Sequence, residues 1–250
     1  MIVLLTDFGR DSPYVGQMIA VLRRAAPEVA VVDLLADAPP HDPRLSAYLL
    51  AAYVGEFPPG TIFLCVVDPG VGSSRAAGYL QIDGKFFVGL DNGLFEMVER
   101  QASGPGIWRD ILWRPAQLSA SFHGRDLFAP VAARLARGMP VDTLIRNRDP
   151  AAWNDWPDDL MAIVYIDAFG NAMTGQRATR LPRDAEVRVR DRIIPAAHTF
   201  SDVSPGEPFW YTNANGLVEI AVNQGRADRV LGLAVGMDLA LGSIASRLEV

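Results

Sequence analysis

Residues 66–75, VVDPGVGSSR, leave an apolar run through an aspartate, a proline and two glycines, and set Arg75 seven positions after Asp68. A carboxylate and a guanidinium on one turn are the types that orient a polar ligand and stabilise developing charge. Three further polar clusters stand where apolar runs end: TDFG at 6–9, FHGRD at 122–126 and IDAFGN at 166–171. The second contributes an imidazole, the side chain able to accept a proton near neutral pH. Singly, each has an ordinary structural account. Asp68 begins a good turn signal, Asp7 can cap its loop, and Asn171 can serve a turn. His123 can start a helix beside a solvated Arg125–Asp126 pair.

Several chemistries lack their signatures. The three histidines, His41, His123 and His198, lie far apart with no HExxH pairing, so no metal site is expected. GxxxxGK[ST] is absent, no GxGxxG turn follows the first strand, and there is no GxSxG elbow. NAN and NQG read as turns that need no function. A formal charge of −6 argues against a nucleic-acid or anionic-membrane binder. One cysteine, Cys65, sits in an apolar run, which leaves no disulfide framework and points to a reducing cytosol. The opening MIVLL is too short for a signal-peptide core, and no run approaches a membrane span.

The elements that must position these clusters follow from period and punctuation. At 250 residues, half of them hydrophobic, the chain can bury a large core in one or two domains. IVLL, VAVVDLL at 29–35 and residues 61–67 read as buried strands, alternating with helices over 14–26 and from Asp42 onward. Asp42 is a candidate N-cap with Pro43 at the first helical position, and Leu45, Tyr48, Leu49, Ala52 and Tyr53 form one apolar stripe. GYLQI and FFVGL read as strands, and DNGLFEMVER and GRDLFAPVAARLARG as helices. The pattern predicts an α/β domain over 1–150 with a mostly parallel sheet flanked by helices. Short runs such as MAIVYID, AEVRVR, PFWYT and GLVEIAV predict a smaller, barrel-like all-β domain over 151–250.

Taken together, LLTDFG, FPPGTIFLCVVDPGVG, FVGLDNGLFE, SFHGRDLFAPVAA, IDAFGNAMT and NGLVEIAVNQG resemble the S-adenosyl-L-methionine hydroxide adenosyltransferases. Their superfamily also holds the fluorinases and chlorinases, and the resemblance covers most of the chain in order. It implies attack of water or hydroxide on the ribose C5′ of S-adenosylmethionine, giving adenosine and L-methionine. The substrate serves without any further cofactor. It also implies an Asp-Arg-His trio at Asp68, Arg75 and His123, with Asp7 on the ribose hydroxyls. Asp11, Ser12 and Asp167 would meet the methionine end, and Phe169, Asn171, Glu219 and Val222 the adenine side. Relatives are trimers with sites between subunits, which implies a homotrimer here.

The residue types suit that reaction. Bulk water has a pKa of about 15.7, so a base, a cation or both must activate it. His123 can take the proton, an arginine stabilises the hydroxide, and Asp68 orients one of them. The sulfonium leaves as a neutral thioether and needs no acid. Charge is annihilated on attack, so a dry pocket favours the transition state. Gly70 and Gly72 allow close backbone approach. Two departures stand out: Ala214 replaces a substrate-contacting serine of relatives, and the loop after Asp7 is shorter than in halogenases. Halogenases carry a tyrosine where Asp68 stands and lack the match to His123, which favours hydroxide over a chlorinase-like halide reaction. The other alternative is an adenosine- or S-adenosylmethionine-binding module with little turnover.

Overall fold

The computed structural model describes residues 1–72, 76–149, 152–182 and 185–243. The chain forms two compact units, residues 1–156 and 157–250.

The first unit is built on β1 (Ile2–Thr6), α1 (Pro13–Ala25), β2 (Val31–Leu35), α2 (Pro43–Tyr53), β3 (Ile62–Val66), β4 (Ala77–Ile82), β5 (Lys85–Leu90), α3 (Glu96–Gln101), β6 (Ile107–Ile111), α4 (Ala129–Ala136) and β7 (Thr143–Ile145). The strands make one seven-stranded sheet in the order β2-β1-β3-β5-β4-β6-β7. Every residue of β1 and β3 is buried, as expected of strands covered on both faces. On one face Ile2, Leu4 and Leu64 pack with Met18 and Leu22 of α1 and Val131 of α4. On the other, the Phe63 and Phe87 rings stack at 4.9 Å beside Phe95. Each such fully buried side chain contributes about 1.5–3 kcal/mol. Asp42 caps α2 as its sequence indicates, accepting the Leu45 N–H at 2.8 Å with Pro43 in the first turn.

The sheet is parallel only across β2, β1, β3 and β5. It continues antiparallel through β4, β6 and β7. The cause is local: Asp83 and Gly84, at φ 45° and 72°, form a two-residue turn that folds β4 back on β5. The described residues of the polar stretch after Gly138 are held by charge rather than by an apolar stripe. Arg146 bonds Asp91 and Asp110, Arg148 bonds Asp91 and Glu99, and Arg100 donates to the Trp153 and Trp156 carbonyls. Trp156 is buried against Gly93, so this stretch finishes the first unit.

The second unit contains β8 (Leu160–Ile166), β9 (Ala172–Arg177), β10 (Ala185–Val189), β11 (Arg192–Ile194), β12 (Pro208–Thr212), β13 (Leu217–Val222), α5 (Ala227–Leu231) and β14 (Ala240–Ser243). Two antiparallel sheets, β12-β13-β9-β8 and β11-β10-β14, share one apolar core. Isolated bridges join Ala196 to Trp210 and Ala162 to Asp238, carrying the hydrogen bonding from β11 to β12 and from β8 to the approach to β14. The circuit of strands is therefore barrel-like, with the short helix α5 added to it.

Candidate functional site

The first unit holds a cavity of about 250 Å³ beyond the C-terminal ends of β1 and β3, where open α/β sheets bind ligands. Asp7, Asp68 and His123 line it together with His41. Asp7 follows β1 directly, and its side chain is only 7% exposed. Asp68 follows β3, and its Oδ1 accepts the Gly70 N–H at 2.9 Å, so the carboxylate holds its own turn. Gly72 has φ 84°, and a Cβ there would stand 3.3 Å from the Ala120 carbonyl oxygen. Both features demand glycine, so the turn can press against the segment leading to His123.

His123 heads a five-residue π-helical turn, Gly124–Phe128, that runs into α4. Such turns add a residue to the helical register and recur at functional sites. Pro130 lies in the first turn of α4, directly after the π-helical turn. Arg125 and Asp126 are more than a solvated pair. The guanidinium bonds the Asp126 carboxylate twice, at 2.6 and 2.9 Å, and lies 4.9 Å from the Phe122 ring centre. Asp126 also accepts the Ser119 N–H. These bonds, led by the one from Arg125, hold the Asp126 carboxyl below the usual carboxylate range. The result fixes the loop on both sides of His123.

Aromatic rings form the apolar wall. Phe8, Tyr14 and Phe122 meet edge to face at 5.3–5.8 Å and all line the cavity. His41 supplies another part. Its backbone N–H donates to Asp7 Oδ2 at 2.9 Å, and its φ is 60°. That left-handed conformation costs a residue with a side chain about 1–3 kcal/mol.

The second unit holds a larger cavity, of about 740 Å³, lined by Asp167, Phe169, Asn171, Glu219 and Val222 among others. Glu219 is 2% exposed and accepts bonds from the Tyr211 hydroxyl at 2.6 Å and the Asn213 amide at 2.8 Å. Burial raises its pKa above the ordinary glutamate value despite both bonds. Burial and the neighbouring Glu219 likewise push up the Tyr211 phenol. Asp167 organises the adjoining loop: its Oδ1 accepts the Phe169 and Asn171 N–H groups, and its Oδ2 the Asn171 amide. At Gly170, φ is 86° and a Cβ would stand 2.6 Å from Asp228, so the loop requires glycine. Arg226 clips the loop by bonding the Ala168 carbonyl oxygen and Asp228. Phe169 is left 76% exposed at the cavity, a ring face available for stacking.

Of the residues singled out in the sequence, Asp7, Asp68 and His123 share the first cavity, and Asp167, Phe169, Asn171, Glu219 and Val222 share the second. Arg75 lies outside the described residues. Asp11 and Ser12 sit at the start of α1, where Ser12 Oγ donates to the Gly9 carbonyl, and neither lines the first cavity. Sequence reading passed over Phe8, Tyr14, Phe122 and His41, although each aromatic flanks or belongs to a polar cluster. Taken by themselves NAN and NQG read as turns that need no function, whereas the resemblance set Ala214 at the substrate; Asn213, Ala214, Asn215 and Gln224 line the second cavity. Among the described residues, no group of three or more His, Cys, Asp or Glu is placed to hold a metal ion.

Comparison with known proteins decides the family. The family models "SAM hydroxide adenosyltransferase N-terminal domain" and "C-terminal domain" match residues 2–145 and 161–240. The chain belongs to the SAM hydroxide adenosyltransferase family. A member named (R)-S-adenosyl-L-methionine hydrolase from Thermus thermophilus is 39% identical, covering 96% of this chain and 98% of its own. One of the same name from Salinispora tropica is 37% identical over 92% of this chain and 93% of its own. A fluorinase from Actinopolyspora mzabensis is more distant, at 22% identity with 96% of each chain covered. Among solved structures, an uncharacterised conserved protein from Thermotoga maritima superposes with a TM-score of 0.82. It is 32% identical, with 96% of this chain and 99% of that one covered.

Proposed function

We propose that the protein hydrolyses S-adenosyl-L-methionine at the ribose C5′, releasing adenosine and L-methionine, and that, as in the relatives' names, the sulfonium is R-configured. The observation that carries this reading is the meeting of Asp7, Asp68 and His123 in one aromatic-walled cavity, in a chain whose hydrolase relatives match it nearly end to end.

In this reading a water molecule gives its proton to His123 while its oxygen attacks C5′. The C5′–S bond breaks, its electron pair goes to sulfur, and methionine departs as a neutral thioether. Asp68 orients the water or its base, and the Arg75 guanidinium stabilises the hydroxide. Asp7 accepts hydrogen bonds from the ribose hydroxyls. The rings of Phe8, Tyr14 and Phe122 wall one side of the site, and displacement of water from that wall by the substrate would favour a step in which opposite charges vanish. Asp167, Asp11 and Ser12 serve the methionine end. Phe169 stacks on adenine, with Asn171, Glu219 and Val222 around its edge. Ala214 lines the same cavity without a hydroxyl to offer.

Each cavity carries only part of this set, so we further propose a homotrimer in which one subunit's N-terminal cavity is completed by the next subunit's C-terminal one. No helix among the described residues is long and apolar enough to cross a membrane. The single cysteine, buried Cys65, suits the cytoplasm. We propose neither metal nor cofactor beyond the substrate.

The test is to incubate the purified protein with each S-adenosylmethionine epimer, with and without chloride, and separate the products. Adenosine and methionine in both media support hydrolysis. Formation of 5′-chloroadenosine would replace it with halide transfer, and tight adenosine binding without product would leave a binding module.

A further inference from the structure

His41 plays no part in the trio, yet its placement is expensive and directed. It lies on the loop between β2 and α2, in a left-handed conformation that glycine adopts freely. The bond that this conformation provides, from its backbone N–H to Asp7 Oδ2, needs no side chain. A glycine would therefore hold Asp7 equally well and with less strain. The imidazole nevertheless lines the first cavity and stands 79% exposed over Asp7. Its Nδ1 lies 3.9 Å from Asp7 Oδ2, too far for a hydrogen bond between them. That spacing leaves room for a ligand oxygen about 2.8 Å from both atoms.

We infer that His41 is a specificity-determining residue, whose imidazole closes with Asp7 a clamp on the cis-diol of the substrate ribose. The inference rests on the hydrolase reading above and deepens it. In the clamp a ribose hydroxyl donates to the Asp7 carboxylate, while the imidazole N–H donates to a lone pair on that hydroxyl oxygen. One oxygen then satisfies both residues, and a deoxyribose lacking it leaves both without their partner. The strain of the left-handed backbone is the cost of keeping a side chain at the one point of the loop that reaches the diol.

The test uses the full-length protein and the variants H41G and H41N. Glycine keeps the turn and the backbone bond to Asp7, and asparagine tolerates the turn while restoring a side-chain donor. With S-adenosylmethionine, H41G should raise KM about tenfold with little change in kcat, and H41N should recover part of the loss. Calorimetry should show the wild type preferring adenosine over 2′- or 3′-deoxyadenosine, and H41G should shrink that preference by a similar factor. Thermal stability of H41G should stay level or rise, because the strain is relieved. An H41G enzyme that keeps its KM and its ribose preference, or whose only change is a lower melting temperature, overturns the clamp and leaves the hydrolase reading intact. A wild type that neither turns over S-adenosylmethionine nor binds adenosine overturns both.

Discussion

The two cavities are built on opposite plans. In the N-terminal unit, charged groups hang from short loops just beyond buried parallel strands, against a wall of three aromatic rings. In the C-terminal unit, the polar groups bond one another first. Glu219 is held by Tyr211 and Asn213, and Asp167 by its own loop. The difference separates labour. In the reading proposed above, His123, the one group that changes charge, stands in the first cavity, whereas the groups of the second cavity are held in place beforehand for recognition. On this view changes at His123 act on kcat, changes at the ribose contacts of the first cavity act on KM, and changes in the second cavity act on KM and stability.

The largest effect should come from His123→Ala, which is expected to lower kcat by about 10²–10⁴-fold while the melting temperature barely moves. A loss confined to KM would erase the contrast between the cavities. Next comes Gly170→Ala, which forces a side chain onto a φ of 86° and against Asp228. It should cost about 1–3 kcal/mol in thermal unfolding and raise KM, because the loop bearing Phe169 and Asn171 must shift.

Two carboxylates, buried Glu219 and half-buried Asp126, sharpen the comparison through pH, with opposite signs. The folded pKa of Glu219 is raised, so the stability linked to it falls as pH climbs above the ordinary value of 4.5 toward the folded one. Melting curves across that window should therefore fall more steeply for the wild type than for Glu219→Gln. The folded pKa of Asp126 is lowered by Arg125, so its contribution is present above 3.8 and is lost as pH drops through the folded value. Asp126→Asn should flatten the acid limb instead. The smallest effect expected is on activity: Asp126→Asn should lower kcat only about threefold, because Asp126 steadies the loop of His123 from outside the cavity.

Where local signals agreed, the sequence was readable. Asp42 and Pro43 marked the start of α2, and unbroken apolar runs marked β1 and β3 as doubly covered strands. The switch of the sheet to antiparallel also had a local mark, the Asp83-Gly84 pair between two apolar runs, which is a hairpin signal that the reading by apolar runs alone did not use. β6 and β7 were hidden for another reason. IWRDI and TLI carry little apolar period, and arginine-carboxylate bonds around Arg146 and Arg148 replace the missing apolar face. At the site, the motifs pointed to Asp7, Asp68 and His123 but not to His41 or Asn213. The value of those two lies in a backbone angle and a partner across a hairpin, neither of which leaves a mark in composition or spacing.

The most direct test of the central claim is to run the reaction in oxygen-18 water and weigh the adenosine. Hydrolysis at C5′ by water activated beside His123 predicts one heavy oxygen, at the 5′ position, and a His123→Ala enzyme that forms almost none of it. Adenosine without the label, or labelled product at undiminished rate from His123→Ala, would contradict the account.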